Sequence, residues 1–164
     1  MILFHGSIVS VETPRLVPSG HTSDFGSGFY LTTDLPQAIR WTQIKMRREH
    51  VLQGFVSVFE MSDELFSEKT SVRVKVFPEA NEEWLNFVVK NRQNTSFRHE
   101  FDVVKGPVAN DRVYACLNAF ENGFMNVQSV LLELKTCLLV DQISFHTQKA
   151  LSFLNFRNIK EVHS

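Results

Sequence analysis

Phe25-Gly26-Ser27-Gly28-Phe29-Tyr30-Leu31-Thr32 joins a glycine turn to an aromatic strand. Two glycines two apart allow the backbone to turn tightly, and the aromatic run after them suits a pleated strand. Upstream, Val11 to Asp24 is rich in Pro, Ser, Thr and Gly and reads as loop. Before that loop, Ile2 to Phe4 forms a short strand running into His5-Gly6. Downstream, Asp34 is a good helix cap and Pro36 fits a first turn, so a helix is expected over Leu35 to His50.

The rest of the chain mixes the two periods. Gly54 to Met61 alternates apolar and polar residues as a strand does. Ser71 to Phe77 sets Val72, Val74 and Val76 against Arg73 and Lys75, which predicts a half-buried strand. Glu82 to Arg92 reads as a helix with Trp84, Phe87 and Val88 on one face, Trp84 being core. A strand over Phe101 to Lys105 is stopped by Gly106-Pro107. Helices follow over Asp111 to Asn122, with Gly123 as C-cap, and over Asn126 to Leu138. Gln142 to Phe145 is a strand, Thr147 caps a helix over Gln148 to Leu154, and a short strand closes near Asn155 to Arg157. Strands scattered among helices, some in direct succession, point to an α+β domain over residues 1–164.

Composition narrows the function. The chain has 164 residues, 43% hydrophobic, with 15 Phe, which fits one globular domain with an aromatic core. A net charge of -1 argues against strong non-specific nucleic-acid binding. The basic cluster Lys45, Arg47, Arg48 reads as a helix end complementing the dipole, with a local basic groove as the alternative. Cys116 and Cys137 fall in apolar helical patterns and predict two buried free thiols, as suits a reducing cytoplasm. His21, His50, His99, His146 and His163 do not form metal-ligand spacing with them, so no metal is expected. The start lacks a signal-peptide pattern and no stretch reaches a membrane span, so a cytoplasmic protein is expected. The glycine turn lacks G-x-G-x-x-G spacing, and neither a Walker A sequence nor G-x-S-x-G occurs.

The order of the short motifs carries a resemblance. His5-Gly6-Ser7 ends the first strand, Gly28-Phe29-Tyr30 ends the glycine-rich loop, a helix containing Ala38 follows, and a late strand begins at Gln142. This order resembles the His-Tyr-Glu class of ADP-ribosyltransferases, the diphtheria-toxin and poly-ADP-ribose-polymerase type. More closely, the chain is similar to a bacterial family of uncharacterised domains in that superfamily. The matching segments are Phe4 to Ser7, Asp24 to Thr32, Glu83 to Phe87, Gly106 to Asp111 and Gln142 to Leu151. Members are often encoded in apparent toxin–antitoxin modules.

The resemblance implies a split β-sandwich with flanking helices and NAD as substrate, bound between two small sheets. It implies that His5 bonds the adenosine ribose and that the Gly6 main chain meets the nicotinamide carboxamide, with Ser7 in the same corner. Tyr30 would stack on the nicotinamide ring, and Trp41 would form a second aromatic wall. Gln142 aligns with the catalytic Glu; it can accept the ribose 2′-hydroxyl but brings no net charge, so mono-ADP-ribosylation is expected at most. Asp141 is the alternative carboxylate, which alternation turns to the opposite face. Asp111 reads as an ordinary helix cap and, where the Glu is missing, as a further candidate for the acceptor or the ribose. The implied activity is that of an intracellular mono-ADP-ribosyltransferase, a toxin or defence effector. Its partners would be NAD, a protein or nucleic-acid acceptor and a small antitoxin protein, with no membrane. NAD glycohydrolase and a non-catalytic NAD-, ADP-ribose- or partner-binding domain are the alternatives.

Overall fold

The computed structural model describes residues 1–17, 23–109 and 111–164, with Asp111 described by its main chain alone. The elements run β1 (Ile2–Ser7), β2 (Phe29–Leu31), α1 (Leu35–Glu49), β3 (Gln53–Met61), β4 (Val74–Val76), α2 (Glu82–Gln93) and β5 (Val103–Pro107). They continue with α3 (Asp111–Glu121), α4 (Val127–Lys135), β6 (Asp141–Phe145), α5 (Gln148–Leu151) and β7 (Leu154–His163). The fold is α+β, with two open sheets ordered β1-β3-β7 and β2-β6-β5-β4. Among the described residues β4 and β5 pair in parallel and the other neighbours are antiparallel.

Among the described residues one bridge joins the two sheets. Phe4 and Thr32 exchange main-chain hydrogen bonds of 2.8 and 3.0 Å, which ties β1 to the end of β2. Beneath this seam Leu3, Phe29, Leu31, Phe59, Ile143 and Phe145 form a shared core. Each of these buried side chains contributes roughly 1.5–3 kcal/mol by leaving water. A second core forms where α2, α3 and α4 cover β5, around Phe25, Trp84, Val104, Val113 and Leu117. The helix α1 packs Ala38 and Met46 onto Val56 and Val162 of the first sheet. Its cap is the expected one: Asp34 Oδ2 accepts from Gln37 N at 2.9 Å.

Several boundaries differ from the sequence expectation. The first strand extends to Ser7, so the whole His5-Gly6-Ser7 motif lies inside it. The strand expected over Ser71 to Phe77 shrinks to Val74–Val76, and Val76 is 45% exposed. It is an edge strand, paired with β5 among the described residues, so alternation does not guarantee two covered faces. Gly106-Pro107 does not stop β5 but completes it; a proline is tolerated at a strand end, and its carbonyl accepts from Trp84 Nε1 at 3.1 Å. The helix expected to reach Leu138 ends at Lys135, leaving Leu138 almost wholly exposed. The last helix is only Gln148–Leu151, and β7 spans ten residues instead of three. β7 is an outer strand with polar residues on most positions, so its pattern is hard to tell from loop. Cys116 and Cys137 are free but only partly covered, not buried, because α3 and α4 lie at the surface.

Candidate functional site

A cavity of about 520 Å³ opens where β1 leaves β2. Its walls come from β1 (His5, Gly6), β2 (Tyr30), α1 (Trp41, Lys45) and β6 (Gln142), together with Asp24 ahead of the glycine turn. Residues far apart in sequence therefore converge: His5, Gly6, Tyr30 and Gln142, singled out from motifs, and Trp41 from the helix that follows, line one space. Helical spacing explains the share of α1. Gln37, Trp41, Ile44, Lys45 and Arg48 recur every three or four residues and so form one stripe facing the opening.

The electronic state of His5 follows from its contacts. Its Nδ1 lies 2.7 Å from the Tyr30 carbonyl, and its ring stacks on Phe29 with centroids 4.2 Å apart. A carbonyl only accepts, so Nδ1 carries the proton and donates. Burial, with the Lys45 ammonium nearby, lowers the pKa of His5 to about 4, so the ring is neutral at physiological pH. Its Nε2 then holds a lone pair, able to accept a hydrogen bond and not to donate one.

Gly6 has a packing reason to be glycine. A Cβ there would meet the Ala38 carbonyl at 2.3 Å and Thr42 Oγ1 at 2.7 Å, so the missing side chain lets α1 pack on β1. Its main chain is nevertheless well aimed. Phe4 bonds Thr32 across the seam, and alternation points the N–H and C=O of Gly6 to that same edge, where β2 is no longer beside it. Lys45 Nζ donates to the Gly6 carbonyl at 2.7 Å. Lys45 and Arg48 are thus part of the cavity wall, whereas Arg47 occupies the helix end away from it, as expected for the dipole.

Tyr30 is fixed from its far end. Its hydroxyl donates to the Gly26 carbonyl at 2.5 Å and accepts from Phe25 N at 3.1 Å. The glycine turn is therefore stitched to the ring it precedes. Gly26 holds φ of 86°, which favours glycine. Burial, then the Asp24 charge, raises the Tyr30 pKa well above its ordinary value, so the phenol keeps its proton.

Gln142 is 4% exposed and its Nε2 lies 3.5 Å from Asp24 Oδ2. Asp24 is itself 5% exposed, and Arg92 Nη1 and the Tyr114 hydroxyl stand 3.9 and 3.5 Å from its Oδ1. Burial raises the Asp24 pKa; Arg92, then the hydrogen bonds from Gln142, Ala109 N–H and Tyr114, oppose the rise. Among the described residues lining the cavity, Asp24 is the only carboxylate. Sequence reasoning missed it, because an Asp in a Pro- and Ser-rich loop beside a glycine turn looks like an exposed turn residue. Its cation, Arg92, lies 68 positions away on α2, and no local pattern links the two.

Other expected residues fall elsewhere. Ser7 does not line the cavity; its Oγ accepts from Val9 N at 3.4 Å, which serves the bend after β1. Asp141 is turned away, as alternation requires: Oδ1 accepts from Thr33 N at 3.1 Å and Thr33 Oγ1 at 2.7 Å, and Lys105 stands 4.0 Å off. Asp111 is the first helical residue of α3 and not the cap before it, and its side chain lies outside the described residues. Trp84 is wholly buried core.

A neighbouring cavity of about 580 Å³ shares His5 and is lined by Ser10, Thr13, Arg15 and Phe29. Among the described residues no group of three or more His, Cys, Asp or Glu is placed to hold a metal ion. No helix of the described residues is long and apolar enough to cross a membrane.

No curated protein and no solved structure matches the chain. Residues 1–156 match a family described as a protein of unknown function, DUF3990. That span takes in every element forming the cavity and ends inside β7, so the chain, site included, belongs to the DUF3990 family.

Proposed function

We propose that this chain is an NAD-dependent mono-ADP-ribosyltransferase with the split-sandwich fold of that superfamily. The single observation carrying the reading is the convergence of His5, Gly6, Tyr30, Trp41 and Gln142 on one cavity at the seam of two open sheets. The lone pair on His5 Nε2 suits a ribose hydroxyl. Tyr30 and Trp41 supply aromatic faces for the positively charged nicotinamide ring. The Gly6 N–H is aimed at a carboxamide, and binding there displaces or shares the Lys45 contact with the Gly6 carbonyl. Arg40 and Arg48 at the mouth bring positive charge suited to a pyrophosphate or an acceptor's phosphates. The neighbouring cavity across His5 gives room for the adenosine end of the same dinucleotide.

The reaction is a displacement at C1′ of the nicotinamide ribose. The bond from C1′ to the nicotinamide nitrogen breaks, and its electron pair leaves with the ring, which becomes neutral. Positive charge passes to the ribosyl group. An acceptor nucleophile gives a lone pair to C1′ and releases its proton to solvent. Little covalent work falls to the protein; it positions the ribose and stabilises its charge. The acceptor is a protein or nucleic acid in the cytoplasm, and a small antitoxin protein would hold the activity in check.

Purified protein incubated with adenylate-labelled NAD and cell lysate tests this. Label is expected on macromolecules. Label found only in free ADP-ribose would replace transfer with NAD hydrolysis, and unconsumed NAD would overturn both.

A further inference from the structure

A buried carboxylate needs close partners; Asp24 has the Ala109 N–H, but the described side chains around it stand back. Its side-chain contacts with Arg92, Tyr114 and Gln142 are all 3.5 Å or longer. Arg92 is meanwhile better held elsewhere, by Glu121 Oε1 and Asn118 Oδ1, each at 3.0 Å. A charge kept in a costly place with loose compensation is a poor structural brace, and it faces the cavity.

Its effect on Gln142 follows from donor and acceptor rules. An ionised carboxylate only accepts, so Gln142 must turn its Nε2 toward Asp24. The amide oxygen is then left for a different donor. An amide whose nitrogen faces a carboxylate is also polarised, with more negative charge on its oxygen.

Resting on the NAD reading above, we infer that Asp24 is the positioning residue of the reaction: it fixes the Gln142 amide with its oxygen available to the ribose 2′-hydroxyl and sets a negative charge behind it. The pair then does jointly what one carboxylate would do. The ribose 2′-hydroxyl meets a neutral amide, while the charge that steadies the ribosyl cation stands one residue further back.

The inference carries a pH signature. The groups facing Asp24 are Arg92 from α2, Tyr114 from α3, Tyr30 from β2, Gln142 from β6 and the Ala109 N–H, with Glu121 of α3 holding Arg92. A protonated Asp24 becomes a donor to the Gln142 oxygen, which reverses the amide and removes the charge. Turnover therefore falls on acidification, with its midpoint above the ordinary aspartate value because burial raises the Asp24 pKa.

The test measures NAD binding and NAD turnover for wild type, Asp24→Asn, and the exchange variant Asp24→Asn/Gln142→Glu, with thermal melts for each. Asp24→Asn is expected to bind NAD within about 3-fold of wild type, to lose about 100-fold in kcat, and to lose the acidic limb of the pH profile. The exchange variant, which returns the charge from the other side of the pair, is expected to recover most of that loss. Full turnover in folded Asp24→Asn overturns the role of Asp24 and leaves the NAD reading intact. A folded exchange variant no better than Asp24→Asn also overturns it. If Asp24→Asn does not fold, the exchange variant and the wild-type pH profile decide, and a profile flat from pH 8 down to about pH 4 overturns the inference. Wild type that fails to bind or consume NAD overturns this inference and the NAD reading together.

Discussion

Gly6 separates two explanations that its sequence context leaves joined. A glycine beside a histidine at a strand end invites a ligand-contact explanation, yet the atoms nearest a Cβ belong to α1, 2.3 Å away at Ala38 O. Gly6→Ala is therefore expected to destabilise the fold by roughly 1–3 kcal/mol through overpacking, read as a lower denaturant midpoint with no NAD present. An unchanged midpoint would show that α1 can yield, and that the glycine is kept for the ligand alone. That His5 and Tyr30 meet at one cavity was legible from motif order, but their states were not. Which imidazole nitrogen holds the proton depends on the Tyr30 carbonyl, and only the folded chain brings that carbonyl within 2.7 Å. Asp24 was illegible for the same reason: burial and a remote Arg92 make it notable, and neither is written locally.

At the scale of elements, the strongly patterned pieces were the readable ones. The helix α1 has a cap, a proline in its first turn and one apolar stripe, and it lies within a residue of expectation. The outer strands β4 and β7 differ from expectation for separate reasons: β4 keeps its alternation but forms a strand over three residues alone, while β7 is exposed at most positions on both faces and so carries no period that identifies a strand. The glycine turn also has a feature that sequence does not announce: imidazoles pin it. His146 Nδ1 donates to the Ser27 carbonyl at 2.7 Å, and His99 Nε2 to the Phe25 carbonyl at 2.8 Å. Burial lowers the pKa of His146 to about 4 and that of His99 in the same direction. Such a histidine binds a proton in the unfolded chain, near pH 6.5, before it does so in the folded one. Its contribution is thus present above about pH 6.5 and lost as pH falls toward 4. For His5 and His146 the full effect is on the order of 3 kcal/mol each. Urea melts at pH 7 and pH 4.5 are expected to show a large drop in midpoint for wild type and a smaller one for His146→Gln. Equal drops would mean that the turn does not sense protons through His146.

At the scale of the whole molecule, two open sheets touch through the Phe4–Thr32 pair and share a core beneath it. Beyond that pair β1 and β2 part, and the gap they leave is the cavity. The fold class was legible from the mixture of periods; the seam was not, because it depends on which strands are neighbours across a long loop. The central claim is that this gap holds NAD with nicotinamide against Tyr30. Calorimetric titration with NAD tests it most directly, on wild type and on Tyr30→Ala, with thermal melts to show that the variant stays folded. The account predicts saturable binding at one site per chain, weakened about 10-fold or more in Tyr30→Ala as stacking and cation–π attraction are lost. No binding by wild type, or equal affinity in the folded variant, would contradict it.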